Sequence, residues 1–106
     1  SQVVLEERKT MSSQGVVIVV LLINKQKRLV GGPETISRGF VYMKNNQELF
    51  QELEQLIRQK FHSLLIDPKS ATYFSELRSN LKQIIGDFIY EKTEKTPMII
   101  PVVVQV

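Results

Sequence analysis

The feature that most constrains this chain is an unbroken run of eight apolar residues, Val16–Ile23 (VVIVVLLI). The run is too short to cross a bilayer, because a membrane-spanning helix needs about 20 such residues. It is rich in β-branched residues and apolar at every position, which is typical of a central strand covered on both faces. The sequence therefore predicts a strand with helices on one face and a further surface, such as another subunit, on the other.

A second strand is predicted directly after the first. Residues 24–28 are polar and of hairpin length, and residues 29–30 resume an apolar strand. The Gly-Gly-Pro sequence at 31–33 predicts a bend or bulge, beyond which the strand is expected to continue through Tyr42. No helix follows the glycine pair at once, so it is interpreted as turn chemistry and not as a phosphate cradle.

Two amphipathic helices are predicted next. Asn45 has the character of an N-cap, and Glu48 completes a capping box. Apolar residues then recur at helical spacing up to a break at Asp67-Pro68, at Leu49, Leu53, Leu56, Ile57, Phe61, Leu64 and Leu65. A second stripe ends near Thr93 and contains Phe74, Leu77, Leu81, Ile84, Ile85, Phe88 and Ile89.

A last strand is predicted from Met98 to Val104. Pro101 cannot donate a ladder hydrogen bond, so it favours an edge position or a bulge. The fold class is α+β: a three-stranded sheet with two helices packed on one face, in the order β-β-α-α-β. Residues 15–106 are expected to form one domain, and residues 1–14 a linker or lead-in segment.

The second face of such a small sheet is expected to be covered by self-association. Its predicted residues are the alternate apolar positions of the first strand and two valines of the last strand. These assembly-surface candidates are Val16, Ile18, Val20, Leu22, Val102 and Val104.

Composition excludes most kinds of catalytic site. The 106 residues include no cysteine and one histidine, His62, so the sequence offers no thiolate or histidine metal site. Nucleotide-binding and hydrolase motifs are also missing from the sequence. The chain alone is therefore not expected to be an enzyme or to bind a cofactor, and its lack of cysteine favours a reducing, cytoplasmic compartment.

The net charge of +3 results from basic residues that are interspersed with acidic ones. Such a spread is weaker than the concentrated charge of a dedicated nucleic-acid binder. Three basic residues are nevertheless candidates for RNA contact: Arg38, Lys44 and Lys92. For Arg38, the competing interpretation is a structural ion pair with an acid such as Glu34 or Glu91.

Several stretches of the chain resemble the C-terminal region of bacterial ribonuclease J. Residues 32–34 (GPE) with 37–42 (SRGFVY) resemble a stretch near the C-terminus of that family. Residues 90–93 (YEKT) with 97–101 (PMIIP) resemble its final residues, and Glu7-Arg8 and Gly15 also match. The similarity covers nearly the whole chain in the right order.

This resemblance implies a non-catalytic C-terminal domain of a metallo-β-lactamase/β-CASP ribonuclease, an enzyme of RNA processing and decay. The full-length protein would act on RNA as a 5′-to-3′ exonuclease and endonuclease, with zinc in a catalytic body whose His-x-His-x-Asp-His run has no counterpart here. The domain would support full activity and assembly, as a homo-oligomer or a hetero-oligomer with a paralogue. One departure is residues 94–96 (EKT), where the family commonly has a basic pair that would suit RNA phosphate.

Two alternatives stay open from the sequence. The chain could be an RNA-contacting module that guides substrate to the catalytic cleft through the three basic candidates, or a free-standing regulatory α+β domain. The chain begins at Ser1 without an initiator methionine, which favours a piece of a longer protein.

Overall fold

Three strands and two helices follow one another in a computed structural model that describes residues 14–106. They are β1 (Val16–Ile23), β2 (Leu29–Arg38), α1 (Asn46–Phe61), α2 (Tyr73–Thr93) and β3 (Met98–Gln105). The predicted α+β class and the order β-β-α-α-β are confirmed. The predicted lead-in segment lies outside the described residues, apart from Gln14.

The strands form one sheet in the order β2-β1-β3. The apolar strand β1 is central: it pairs with β2 antiparallel through a hairpin and with β3 in parallel. A parallel neighbour requires a long crossover, which the two helices provide. β3 is therefore an edge strand, as predicted from Pro101.

The side chains of β1 alternate between two environments. Val17, Val19, Leu21 and Ile23 are fully buried against the helices. Each helix contributes one stripe to this core: Leu49, Leu53, Ile57 and Phe61 from α1, and Tyr73, Leu77, Leu81, Ile85 and Ile89 from α2. The core thus lies between one face of the sheet and both helices.

Short polar contacts fix the turns. The Asn24 side chain accepts hydrogen bonds from the backbone N–H groups of Gln26 and Arg28, both at 3.0 Å, and so shapes the hairpin. The register of β1 and β2 shifts between Val20 and Leu22, which confirms the predicted bulge. Asn45 caps α1 by accepting from the N–H of Gln47 at 2.9 Å, as predicted.

Strand β2 ends at Arg38, so the prediction that it continues through Tyr42 is wrong. Gly39 turns the chain with a φ of +70°. The segment that follows is held by Asn46, whose Oδ1 accepts from the N–H of Tyr42 at 2.9 Å and whose Nδ2 donates to the Phe40 carbonyl at 3.0 Å. The apolar pattern at 40–42 reflects this packing, which includes the buried Phe40, and not strand pairing.

Helix α1 ends at Phe61, so the predicted stripe through Leu65 is too long. The Ser63 hydroxyl donates to the Lys60 carbonyl at 2.8 Å, and such local bonds compete with continued helix. Leu64 packs on the core from the connecting loop, while Leu65 is fully exposed. Spacing alone did not separate these two leucines from the helix.

Candidate assembly face

The candidate functional site is the sheet face opposite the helices. On β1 it consists of Val16, Ile18, Val20 and Leu22, which are half-buried where their neighbours in sequence are fully buried. In the described part of the chain, both helices pack on the other face. The sheet therefore presents one partnered and one open side.

Strand register orders the open side into rows that cross the sheet. Directly paired residues point to the same face, so each row takes one residue from each strand. From β2 to β3 the central row is Ile36, Ile18 and Ile100, its neighbour on one side is Arg38, Val16 and Met98, and its neighbour on the other is Glu34, Val20 and Val102. A further pair, Leu22 and Val104, extends the surface. These eleven residues are called the assembly face below.

The assembly face is accessible at its edges: Ile36 is 41% exposed and Val104 is 42% exposed. Three strands spaced by about 4.8 Å and eight residues of about 3.3 Å each give an area of roughly 14 by 26 Å, or about 370 Å². Contiguous apolar patches of this size on single chains are often functional.

All six predicted assembly-surface residues lie on this one face. That the face mediates assembly stays a prediction. Sequence reasoning missed its β2 members and half of its β3 members. Met98 and Ile100 could have been found, because they precede Val102 and Val104 at the strand period of two. Glu34, Ile36 and Arg38 required the strand order and register.

Arg38 lies on the assembly face, at the end of β2. Its Nη1 donates to the Ser37 carbonyl at 3.0 Å. The structural ion pair considered from the sequence is not formed, because the salt bridge found within residues 14–106 joins Lys92 and Glu52. Glu34 lies four residues away along an extended strand, about 13 Å between Cα atoms, so the two charges point to the same side without meeting.

The other two RNA-contact candidates lie elsewhere. Lys44 and Lys92 line a shallow cleft beside the start of α1, and Arg38 is not among its lining residues. Three carboxylates share that cleft, from Glu48, Glu52 and Glu91. The Lys92 Nζ is 3.6 Å from Glu52 Oε2. The structure thus divides the three candidates between two surfaces and surrounds two of them with acidic groups.

A second cleft, of about 210 Å³, lies at the hairpin end of the sheet. Lys27, Arg28 and His62 are on its rim, and Phe61 and Tyr73 are among the residues that line it. Lys27 is already engaged: its Nζ donates to Gln105 at 2.9 Å and lies 5.4 Å from the centroid of the Tyr73 ring. Burial raises the pKa of the Tyr73 phenol above its ordinary value. The contacts of Lys27 hold the hairpin against α2 and β3.

The described residues do not suit a metal centre. Between Gln14 and Val106, no three His, Asp or Glu side chains come together in a way that could hold an ion. The zinc that the resemblance implies therefore has no fitting ligands in this part of the chain. Within the same range, no helix is long and apolar enough to cross a membrane.

The fold and its open face define a small α+β domain with one side of its sheet prepared for a further partner. The chain belongs to the ribonuclease J C-terminal domain family, which it matches over residues 3–106. The family resemblance found in the sequence is thereby confirmed.

Individual relatives agree with this assignment. The chain is 37% identical to ribonuclease J2 of Bacillus subtilis over 107 residues, which cover 98% of this chain and 19% of that protein. It is 33% identical to ribonuclease J 2 of Staphylococcus epidermidis and 32% identical to ribonuclease J 2 of Staphylococcus aureus, each over 98% of this chain and 18% of the relative. The chain thus spans about a fifth of the length of these relatives.

Proposed function

We propose that this chain is the non-catalytic assembly domain of a ribonuclease J subunit. It brings subunits together through the assembly face, as a homo-oligomer or with a paralogous subunit, and thereby supports the activity of the catalytic part. The observation that carries this proposal is the continuous apolar face opposite both helices, which has only Glu34 and Arg38 as charged members.

In this proposal the chemistry belongs to the rest of the full-length protein. That protein would process and degrade RNA in the cytoplasm, and its zinc would be bound in a catalytic body outside this chain. Two observations support this division. The chain spans about a fifth of its relatives, and its described residues offer no cluster of metal ligands.

The chemistry of the face favours a protein partner over RNA. RNA binding at physiological salt relies on several cations that neutralise phosphates together. The assembly face carries one cation, Arg38, beside nine apolar residues. Burial of such a surface against a similar one removes apolar area from water, which is the main driving force of association.

The size of the face predicts a weak interaction for the chain by itself. Two copies would bury roughly 740 Å² in total from the faces alone, below the standard interface of about 1,600 Å². The dissociation constant of the isolated chain is therefore expected in the high micromolar range. Further contacts between full-length subunits would strengthen it.

Sedimentation velocity over a wide range of protein concentration tests this function. The weight-average sedimentation coefficient should rise with concentration, and Ile36→Lys should keep the chain monomeric because it places a charge in the central row. Leu65→Lys is the matched control, since it adds the same charge at a fully exposed position off the face. Persistent monomer in the unaltered chain, or association of the Ile36 variant equal to that of the control, would overturn the proposal.

The RNA-contacting alternative has less support. Its three basic candidates do not share a surface, and Lys44 and Lys92 lie among carboxylates. If it were correct, Lys44→Ala and Lys92→Ala would weaken binding of a single-stranded RNA in a salt-dependent way. Fluorescence anisotropy measures this, and we expect no specific effect of either substitution.

A free-standing regulatory domain is also disfavoured. The family match runs over residues 3–106, and the relatives are about five times longer than this chain. The gene sequence upstream of Ser1 provides the test. Under our proposal it encodes a His-x-His-x-Asp-His run.

A further inference from the structure

We infer that two copies of the assembly face pack against each other around a two-fold axis that crosses the strands at the row Ile36, Ile18 and Ile100. The strands of the two copies run antiparallel, and Glu34 of each copy pairs with Arg38 of the other. This inference rests on the proposed assembly function and adds to it the orientation, the register and the ion pairs of the interface.

The placement of charge on β2 carries the inference. Glu34 and Arg38 lie one row to either side of the isoleucine row, on the same strand and the same face. A two-fold axis along that row exchanges the two neighbouring rows. Each glutamate therefore meets an arginine of the second copy, and each isoleucine meets its own equivalent.

Other positions of the axis fail on electrostatic grounds. An axis through the row of Val20 would place Glu34 against Glu34, and one through the row of Val16 would place Arg38 against Arg38. An axis parallel to the strands would place β2 over β3, with both charges on apolar residues. Burial of an unpaired charge is costly, so these arrangements are disfavoured.

The two charges are also available for a partner. Both side chains are exposed, and neither takes part in an ion pair within residues 14–106. Arg38 is held near the end of its strand by the bond from Nη1 to the Ser37 carbonyl, which leaves further donors on the guanidinium. An arginine can therefore keep this contact and bind a carboxylate of a second copy.

Pairing of two copies edge to edge along β2 is opposed by a contact on that edge. The backbone N–H of Thr35, between Glu34 and Ile36, donates to Glu54 of α1 at 3.0 Å. A strand added along β2 would have to displace that carboxylate. The open face has no such obstacle in the described part of the chain.

Charge reversal tests the pairing. Glu34→Arg and Arg38→Glu each turn two attractive contacts into two repulsive ones, so each variant alone should self-associate about tenfold more weakly than the unaltered chain. An equimolar mixture of the two variants restores opposite charges at both contacts. Its association should recover to within about threefold of the unaltered chain, and so should that of the double variant Glu34→Arg/Arg38→Glu.

Single cysteines test the position of the axis, because the chain has none of its own. Residues on the axis lie about 10 Å from their equivalents, the spacing of packed sheets. Val104 lies four residues beyond Ile100 on the same strand, so its two copies would be about 26 Å apart. A short bis-maleimide should therefore cross-link the variants Ile36→Cys and Ile100→Cys to dimers, but not the matched control Val104→Cys.

The outcomes separate this inference from the assembly function. Failure of the variant mixture to recover, or cross-linking of Val104→Cys in place of Ile100→Cys, overturns the proposed geometry even if the unaltered chain still dimerises. Cross-linking at Ile36 without Ile100 would indicate pairing along the β2 edge and would also overturn it. A chain that is monomeric at every concentration would contradict the assembly function itself.

Discussion

Glu54 on α1 accepts a hydrogen bond from the backbone N–H of Thr35 on β2, with 3.0 Å between Oε2 and the nitrogen. The bond ties a helix to an edge strand and occupies a backbone donor in the middle of that strand. Unpaired donors on edge strands are sites for unwanted pairing with other chains. The carboxylate thus fastens α1 to the sheet and protects the edge beside the assembly face.

Glu54→Ala should therefore lower the free energy of unfolding by about 1–2 kcal/mol, because it removes a charged acceptor from a backbone N–H. Urea unfolding followed by circular dichroism measures the change. Gln55→Ala, at the exposed neighbouring position of the same helix, serves as the control and should stay within about 0.5 kcal/mol of the unaltered chain. Equal effects of the two substitutions would show that the bond contributes nothing.

Thr35 itself predicts a stabilising substitution. Its Oγ1 is buried and has no hydrogen-bond partner within residues 14–106. Thr35→Val keeps the shape of the side chain and removes the unsatisfied hydroxyl, so the free energy of unfolding should rise by up to about 1 kcal/mol. Thermal unfolding tests this, and a fall in the melting temperature would mean that the hydroxyl contributes a favourable contact.

Two glycines should respond to alanine in opposite directions. Gly86 lies inside α2, where an added Cβ would be 4.0 Å from Ile99 Cγ1, an ordinary contact. Gly86→Ala should therefore stabilise the chain by about 0.5–1 kcal/mol through helix propensity. At Gly15 the φ is +84° and a Cβ would lie 2.4 Å from the Gly39 carbonyl carbon, so Gly15→Ala should destabilise it by more than about 1 kcal/mol. Calorimetric melting temperatures that move in the same direction would contradict this account.

The end of α1 at Phe61 predicts unequal roles for two leucines of the same sequence stripe. Leu53 is fully buried, so Leu53→Ala should cost about 2–5 kcal/mol of stability. Leu65 is fully exposed, so Leu65→Ala should change stability by less than about 0.5 kcal/mol. Chemical denaturation of both variants decides the matter, and a large loss at Leu65 would indicate that the helix continues beyond Phe61.

Local chemistry was sufficient to predict most elements of the fold. The Asn45 cap, the bulge opposite Gly31-Gly32 and the edge position of Pro101 each depend on a property of one or two residues. The same local reasoning failed at two element ends. Strand β2 ends where Gly39 adopts a positive φ, and α1 ends where Ser63 bonds to the Lys60 carbonyl. Apolar residues continue past both points because they pack from loops.

The candidate site was predictable only in part, for a different reason. Alternation along β1 identified its open side, but alternation does not show which strand lies beside it. The alignment of Ile36 and Ile100 with Ile18 is a property of strand order and register. The opposed positions of Glu34 and Arg38 gain meaning only from that alignment, and from the sequence Arg38 was assigned to RNA or to an ion pair within the chain.

The most direct test of the central claim is a series of methyl NMR spectra of this chain, labelled at isoleucine, leucine and valine, over a wide range of protein concentration. We predict that the methyl signals of Ile18, Ile36 and Ile100 shift as the concentration rises, because self-association buries them. The signals of Leu65 and of core residues such as Leu53 should stay constant. Shifts confined to positions outside the assembly face, or spectra that do not change with concentration, would contradict the account.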